Sequence, residues 1–308
     1  MNIIAIIWDF DKTLIPGYMQ DPIFKRYGID AKKFWDEVND LPQKMISNDD
    51  EKFKIRVNKD TIYLNKFIDE ANPQNGKKLS GLNNSILREL GKELTFYEGI
   101  PDIFKETKNI VSSETKYSEY GIKVEHYVVS TGMAEMIRGS SIVDDIEGIW
   151  GCELAEKEYE GKKYIAEKIY TIDNTSKTRA IFEINKGVPK RPEVDVNAKM
   201  EKSMRRIPFE NMIYIADGPS DIPAFSLIKK NGGSTFAIYP KGKENDFIQV
   251  EKLRQDGRID MYAEADYSKT TTAYMWICNK VKEYAERIYI SEKQRIQQSI
   301  SDVPKHIV

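Results

Sequence analysis

Ile3-Ile4-Ala5-Ile6-Ile7-Trp8-Asp9-Phe10-Asp11-Lys12-Thr13-Leu14 runs from six apolar residues directly into two carboxylates. A short, continuous, isoleucine-rich run is the pattern of a strand buried on both faces of a parallel sheet. No basic leader or small-residue cleavage site precedes Asp9, so the run reads as a strand and not as a signal peptide. In extended backbone, alternate side chains share a face, which places Asp9 and Asp11 together. Two carboxylates so close repel, which raises the proton affinity of one or calls for a cation.

Two later segments repeat the arrangement. Val124–Val129 precedes Ser130-Thr131-Gly132, and Met212–Ala216 precedes Asp217-Gly218-Pro219-Ser220-Asp221. In open α/β sheets, residues beyond the carboxyl ends of the strands converge on one site even when they are distant in sequence. Ser130, Thr131 and Gly132 then offer hydroxyls and backbone amides suited to an anion such as phosphate, although Ser130 alone would equally serve as a helix cap. Lys177, in Asn174-Thr175-Ser176-Lys177-Thr178, is a cation able to pair with a phosphoryl oxygen and a carboxylate. Lys168 and Lys186 are alternatives to it, and Asp221 is also placed to cap the helix that follows.

The remaining pattern predicts a doubly wound, Rossmann-like α/β core with an inserted α-helical cap. Residues 1–16 and 97–308 form the core and residues 17–96 the cap, where helical periodicity replaces the strand pattern. Within the cap, Asp30 precedes Phe34, Trp35 and Val38. A second stretch carries Ile55, Ile62, Leu64, Phe67 and Ile68, and a third is capped by Asn83 or Asn84. Phe34, Trp35, Tyr63 and Phe67 fall near helical spacing and read as the cap's own core. In the core domain, one helix is expected from Pro101 to about Tyr120, a hairpin around Glu160-Gly161, a helix from Lys177 to Gly187, and a last helix over about Thr270–Ile290 before a frayed polar tail.

Composition narrows the function. The 308 residues hold 47 Lys plus Arg against 49 Asp plus Glu, a formal charge of −2, and offer no excess of cations to a nucleic-acid backbone. No run of 18 apolar residues suggests a membrane span. Two cysteines, Cys152 and Cys278, are too few for a disulfide framework or a four-thiolate zinc site, and the simplest home is the cytoplasm. Both histidines, His126 and His306, lack clustered partners and read as structural or incidental. The sequence assigns no oligomeric state.

From Ile3 to about Pro240 the chain resembles the haloacid dehalogenase-like phosphohydrolases, within them the phosphoserine-phosphatase-like group. Asp9-Phe10-Asp11-Lys12-Thr13-Leu14 matches the first family motif, Val128-Val129-Ser130 the second, Lys177 the third, and Ala216-Asp217-Gly218-Pro219-Ser220-Asp221 the fourth. The resemblance implies that Asp9 attacks phosphorus to form an aspartyl-phosphate, while Asp11 protonates the leaving oxygen and then activates water. It further implies Mg²⁺ held by Asp9, the Asp11 backbone carbonyl and Asp217, with Asp221 holding a coordinated water or Lys177, and Ser130, Thr131 and Gly132 holding the phosphoryl group. The expected substrate is a small-molecule phosphate ester, phosphoserine-like or another metabolite. A phosphotransferase using the same intermediate and a non-catalytic phosphometabolite-binding protein are the alternatives. Phosphoserine-specific relatives use a cap acid and arginine, but neither Glu51 nor Arg56 can be matched to that pair. Lys12 receives no role. Loops at Ile15–Gly17 and Phe96–Gly99 are expected to act as hinges for the cap.

Overall fold

In a computed structural model that describes residues 2–45, 56–191 and 193–301, β1 (Ile3–Trp8) lies at the middle of a seven-stranded sheet. The segment expected as the cap follows with α1 (Asp21–Tyr27), α2 (Ala31–Met45), α3 (Tyr63–Ala71) and α4 (Asn84–Gly91). The chain then forms α5 (Asp102–Ser112), α6 (Thr115–Ser118), β2 (Lys123–Met133), α7 (Ala134–Gly139), β3 (Gly148–Tyr159), β4 (Lys162–Tyr170) and α8 (Ser176–Lys186). It closes with β5 (Met212–Ala216), α9 (Ile222–Lys230), β6 (Ser234–Tyr239), α10 (Glu244–Gln255), β7 (Met261–Glu264) and α11 (Thr272–Ser301).

The strand order is β4-β3-β2-β1-β5-β6-β7, with every neighbouring pair parallel except the β3–β4 hairpin. Alternation along β1 divides the protein into two layers. Ile4, Ile6 and Trp8 face a core shared with α5, α11 and the cap helices. Ile3, Ala5 and Ile7 face a second core built with α8, α9 and α10. Covering on both faces is what allows β1 to be apolar throughout, and the expected α/β fold is the observed one. The chain winds outward from β1 through β2 and β3, then returns to β1's other side at β5. That reversal opens a crevice at the carboxyl ends of β1 and β5.

Three elements differ from the sequence reading. The helix expected from Pro101 to Tyr120 is interrupted between α5 and α6, where Glu114 takes an extended backbone (ψ 110°). β2 continues through Ser130, Thr131 and Gly132 to Met133, with a register shift against β3 after Val129. The final helix does not fray at Ser291 but continues to Ser301, helped by good helix formers and a Glu292–Arg295 pair at 2.8 Å.

His126 is fully buried in β2. Trp8 Nε1 donates to its Nδ1 at 3.1 Å, which leaves the ring proton on Nε2, 3.0 Å from the Thr107 hydroxyl. Burial, and then the charge of Lys108, push its pKa down to about 3, so the ring stays neutral and acts as a core residue.

The cap's last helix is fused to the core. Gly91 of α4 and Gly139 of α7 let the two backbones touch: a Cβ on Gly139 would lie 1.9 Å from the Arg88 carbonyl oxygen, and one on Gly91 would lie 2.2 Å from that of Met136. The aromatic residues Phe24, Phe34, Trp35, Tyr63 and Phe67 stack as the cap's interior. On helix propensity alone, Gly139→Ala should stabilise α7 by roughly 1 kcal/mol. The backbone contact reverses that sign, and we expect a loss of about 2 kcal/mol in urea unfolding. A stabilised variant would show that α4 and α7 are not held at this distance.

Candidate active site

Asp9 leaves β1 at the crevice, with its amide donating to the Ile215 carbonyl of β5 at 2.9 Å. This backbone bond brings the first motif against the fourth. Lys177, in the first turn of α8, is 1% exposed and reaches both: its Nζ is 2.7 Å from Asp9 Oδ1 and 2.6 Å from Asp221 Oδ1. The alternatives to Lys177 are elsewhere. Lys186 donates to the Val196 and Ala198 carbonyls, and Lys168 is exposed on β4.

The carboxylates are held individually. The Thr13 hydroxyl donates to Asp9 Oδ2 at 3.2 Å, and Tyr267 in turn donates to the Thr13 carbonyl at 2.7 Å. Asp221 is fully buried and accepts from Tyr214 at 2.6 Å and Ser220 at 2.9 Å, besides Lys177. Although Asp221 sits at the N-cap of α9, its side chain makes no capping bond. Asp11 Oδ1 accepts from the Met19 amide at 2.9 Å.

Asp9, Asp217 and Asp221 each bring a carboxylate oxygen within 4.8 Å of the others. Asp221 therefore stands in the acidic group itself, whereas the Asp11 side chain is turned to Met19. Burial is the largest influence on Asp9, pushing its pKa up to about 6 against the pull of Lys177. Burial, then the charges of Asp9 and Asp221, push Asp217 up to about 8. Burial, then Asp9's charge, hold Asp11 well above the usual carboxyl range. One lysine does not neutralise this many acids. The donors in the group are all oxygens, with neither imidazole nor thiolate, which fits a hard divalent cation such as Mg²⁺.

Ser130 lies at the same sheet end, since Trp8 pairs with Val128. Its surroundings differ from an open anion cradle. The Gly132 amide donates to Ser130 Oγ at 3.0 Å, and the Met133 amide meets Met19 Sδ at 3.1 Å. The Thr131 carbonyl accepts from the cap hydroxyl of Tyr63 at 2.9 Å. Asn58 and Asp60 complete the closure, bonding Asp173 at 2.8 Å and the Asn174 amide at 3.2 Å, just before Lys177.

Sequence reasoning gave no role to Thr13, Met19, Tyr214 or Tyr267, and read Tyr63 only as part of the cap's core. Thr13 was visible in the first motif, and Tyr214 was marked by a polar group inside an apolar strand. Met19 and Tyr267 carried no local signal, and the helical spacing of Tyr63 pointed to the cap's interior, not to its hydroxyl. Lys12 has a φ of 57° and places Nζ 4.8 Å from the Tyr18 ring. Arg56 is exposed, and Glu51, Ile55 and His306 lie outside the described residues.

A protein of Borreliella burgdorferi, named only as uncharacterized, is 36% identical over 294 residues, covering 91% of this chain and 97% of its own. The chain belongs to its family. The strand order brings the ends of β1, β2 and β5 to one end of the sheet, where Lys177 of α8 reaches Asp9 and Asp221. No protein-family model matches the chain.

Solved structures similar to it include a HAD-family hydrolase from Salmonella enterica subsp. enterica serovar Typhi. That match has 13% identity and a TM-score of 0.49, over 85% of this chain and 66% of that one, so the chain spans just under two thirds of it. A phosphoserine phosphatase solved as a phospho-aspartyl intermediate analogue is 16% identical, with a TM-score of 0.47 over 85% of this chain and 94% of its own. A cytosolic 5′-nucleotidase IIIB bound to cytidine is 12% identical, with a TM-score of 0.45 over 94% and 87%. Among the described residues, no helix is long and apolar enough to cross a membrane.

The acidic cluster generates a prediction read in stability. Mg²⁺ should raise the thermal midpoint of metal-stripped protein, and at a hundred times its Kd the gain is about 2.7 kcal/mol. In metal-free protein Asp9 and Asp217 bind protons more tightly folded than unfolded, since their pKa values rise to about 6 and about 8. The stability they lend is full below the ordinary carboxyl range and is lost as pH climbs through those two values. Mg²⁺ must displace these protons, so its effect should grow from pH 6 to pH 8. Calorimetry of the wild type and Asp217→Asn checks this; equal midpoints with and without Mg²⁺ at pH 8 would remove the proposed ion.

Proposed function

We propose that the chain is a Mg²⁺-dependent phosphatase that hydrolyses a small-molecule phosphomonoester through an aspartyl-phosphate on Asp9. The observation that carries this reading is the buried Asp9 carboxylate, held by Lys177 beside Asp217 and Asp221, with a second, proton-retaining acid at Asp11.

Asp9 acts as the nucleophile. Lys177 holds Asp9 Oδ1 in place and offers positive charge to the incoming phosphoryl group, so that two anions can meet. Mg²⁺, held by Asp9, Asp217 and the Asp11 backbone carbonyl, supplies further neutralisation of phosphoryl oxygens when bound. Asp221 fixes Lys177 from the other side and is in turn fixed by Tyr214 and Ser220.

Asp11 protonates the leaving oxygen. Its Oδ1 is occupied by the Met19 amide, so the transferable proton belongs on Oδ2. After the alcohol leaves, the same oxygen takes a proton from the water that cleaves the acyl-phosphate. Ser130, whose Oγ accepts from the Gly132 amide, keeps its hydroxyl proton to donate to the phosphoryl group at the end of β2. Tyr63, Asn58 and Asp60 hold the cap down over it, excluding bulk water and folded protein substrates. The two connections between cap and core, Ile15–Gly17 and Phe96–Gly99, lie side by side next to the bond from the Tyr97 amide to the Leu14 carbonyl, and any hinge motion there must leave α4 on α7.

An aryl phosphate with Mg²⁺ tests the reaction. Turnover should vanish in Asp9→Asn, and Asp11→Asn should lose about 10²- to 10⁴-fold, the usual worth of a positioned acid and base. Persistent turnover in Asp9→Asn would exclude Asp9 as the nucleophile. Alkyl phosphate made in preference to inorganic phosphate when an alcohol is added would identify a phosphotransferase instead.

A further inference from the structure

At the opposite end of the sheet, where β1 and β2 begin, a cleft of about 1100 Å³ opens between the start of β2, the segment before β5 and the carboxyl-terminal part of α11. Seven Lys and Arg side chains line it against three Glu. This local excess runs against the sign of the whole chain, whose formal charge is −2. Residues that place like charges around one concavity pay self-repulsion unless an anion is bound there.

Some of these cations are already committed. Arg206 grips Glu125 through two bonds of 2.6 Å, Lys190 lies 2.6 Å from Glu147, and Arg295 lies 2.8 Å from Glu292. Others are not. Lys123, Lys202 and Arg205 have no ion-pair partner among the described residues, and Arg205 Nε is buried without a hydrogen-bond acceptor. Arg287 donates only to neutral oxygens, the Glu210 carbonyl and Asn211 Oδ1, while its guanidinium lies 4.3 Å from the centre of the Tyr284 ring. A buried donor left unpaired is costly, and an acceptor oxygen brought by a ligand removes that cost.

The geometry points to a second anion site, distinct from the catalytic crevice, that binds a small molecule carrying two or more linked phosphate groups through Lys123, Lys202, Arg205 and Arg287. A single phosphate would leave most of these cations unsatisfied, and the cleft, at about 1100 Å³, is slightly larger than the usual small-molecule pocket of about 300 to 1000 Å³. Guanidinium groups match phosphate oxygens in pairs, and the lysines add point charges that hold a flexible polyanion. The site does not depend on the proposed hydrolysis, since it shares none of that reaction's residues.

Inorganic triphosphate is the probe, titrated calorimetrically into the full chain carrying Asp9→Asn, without divalent ions, so that turnover is absent. We expect saturable binding at one site that weakens as salt is raised. Lys123 and Lys202 are both exposed, so K123E/K202E should keep the unliganded thermal midpoint while raising the Kd at least tenfold. In the chain with Asp9 intact, the same double variant should leave aryl-phosphate turnover unchanged. Unchanged affinity in K123E/K202E, or no saturable binding up to millimolar triphosphate, would overturn the proposal. So would displacement of triphosphate by inorganic phosphate added with Mg²⁺, which would place the probe in the catalytic crevice. An oligonucleotide that binds more tightly than triphosphate would make this face a nucleic-acid surface and overturn it equally.

Discussion

Lys177 stands between two buried carboxylates separated from it by 168 and 44 positions in the chain. Removing three charged groups from water carries a large penalty, and their attraction repays it only where each remaining polar atom also finds a partner. The partners are present: Thr13 on Asp9, and Tyr214 and Ser220 on Asp221. The arrangement is therefore better understood as a device for position than as a source of stability. It fixes the start of α8 against the end of β1 and the loop before α9, and any chemistry at Asp9 inherits that alignment.

The sheet makes the convergence possible. Because β1 lies between β2 and β5, polar residues at the ends of three strands reach one crevice without long loops. Backbone bonds supply the fine placement, as with the Asp9 amide on the Ile215 carbonyl. The cap is tied into the same framework at two levels. Its aromatic interior is continuous with the core around Trp8 and Phe104, and α4 is pressed onto α7 through glycines at the contact. Rotation of the whole 17–96 segment as one body would have to break that last contact.

How much of this could be read from the sequence follows from which forces are local. β1 was legible because burial on both faces demands an uninterrupted apolar run, and the hairpin at Glu160-Gly161 because a tight turn needs positive φ, here 49° and 73°. The choice of Lys177 over Lys168 and Lys186 was not fixed locally; it depends on which lysine the fold buries. The extension of β2 through Gly132 was hidden because hydroxyl residues and glycine resemble a helix entry. The break after Ser113 lies at the extended backbone of Glu114, which no turn residue in the sequence announces, and the length of α11 came from surface pairs that an apolar pattern does not register. Tyr63 and Tyr267 reach the site from elements whose own sequence is ordinary.

Met19 shows most clearly what only three dimensions reveal. It is an unremarked apolar residue at the entry to the cap, yet its amide donates to Asp11 Oδ1 and its sulfur meets the Met133 amide. Its methyl group and sulfur fill the space a side chain at Gly132 would need. One residue thus links the first acid-bearing loop, the end of β2 and the cap's first turn. The cap's lead-in cannot shift without changing the hydrogen bond that favours a charged Asp11. If that bond lengthens, Asp11 holds its proton more tightly; if it shortens, Asp11 gives the proton up more readily. The Met19 amide thus couples the entry of the 17–96 segment to the proton affinity of Asp11, opposing the larger effects of burial and of the Asp9 charge.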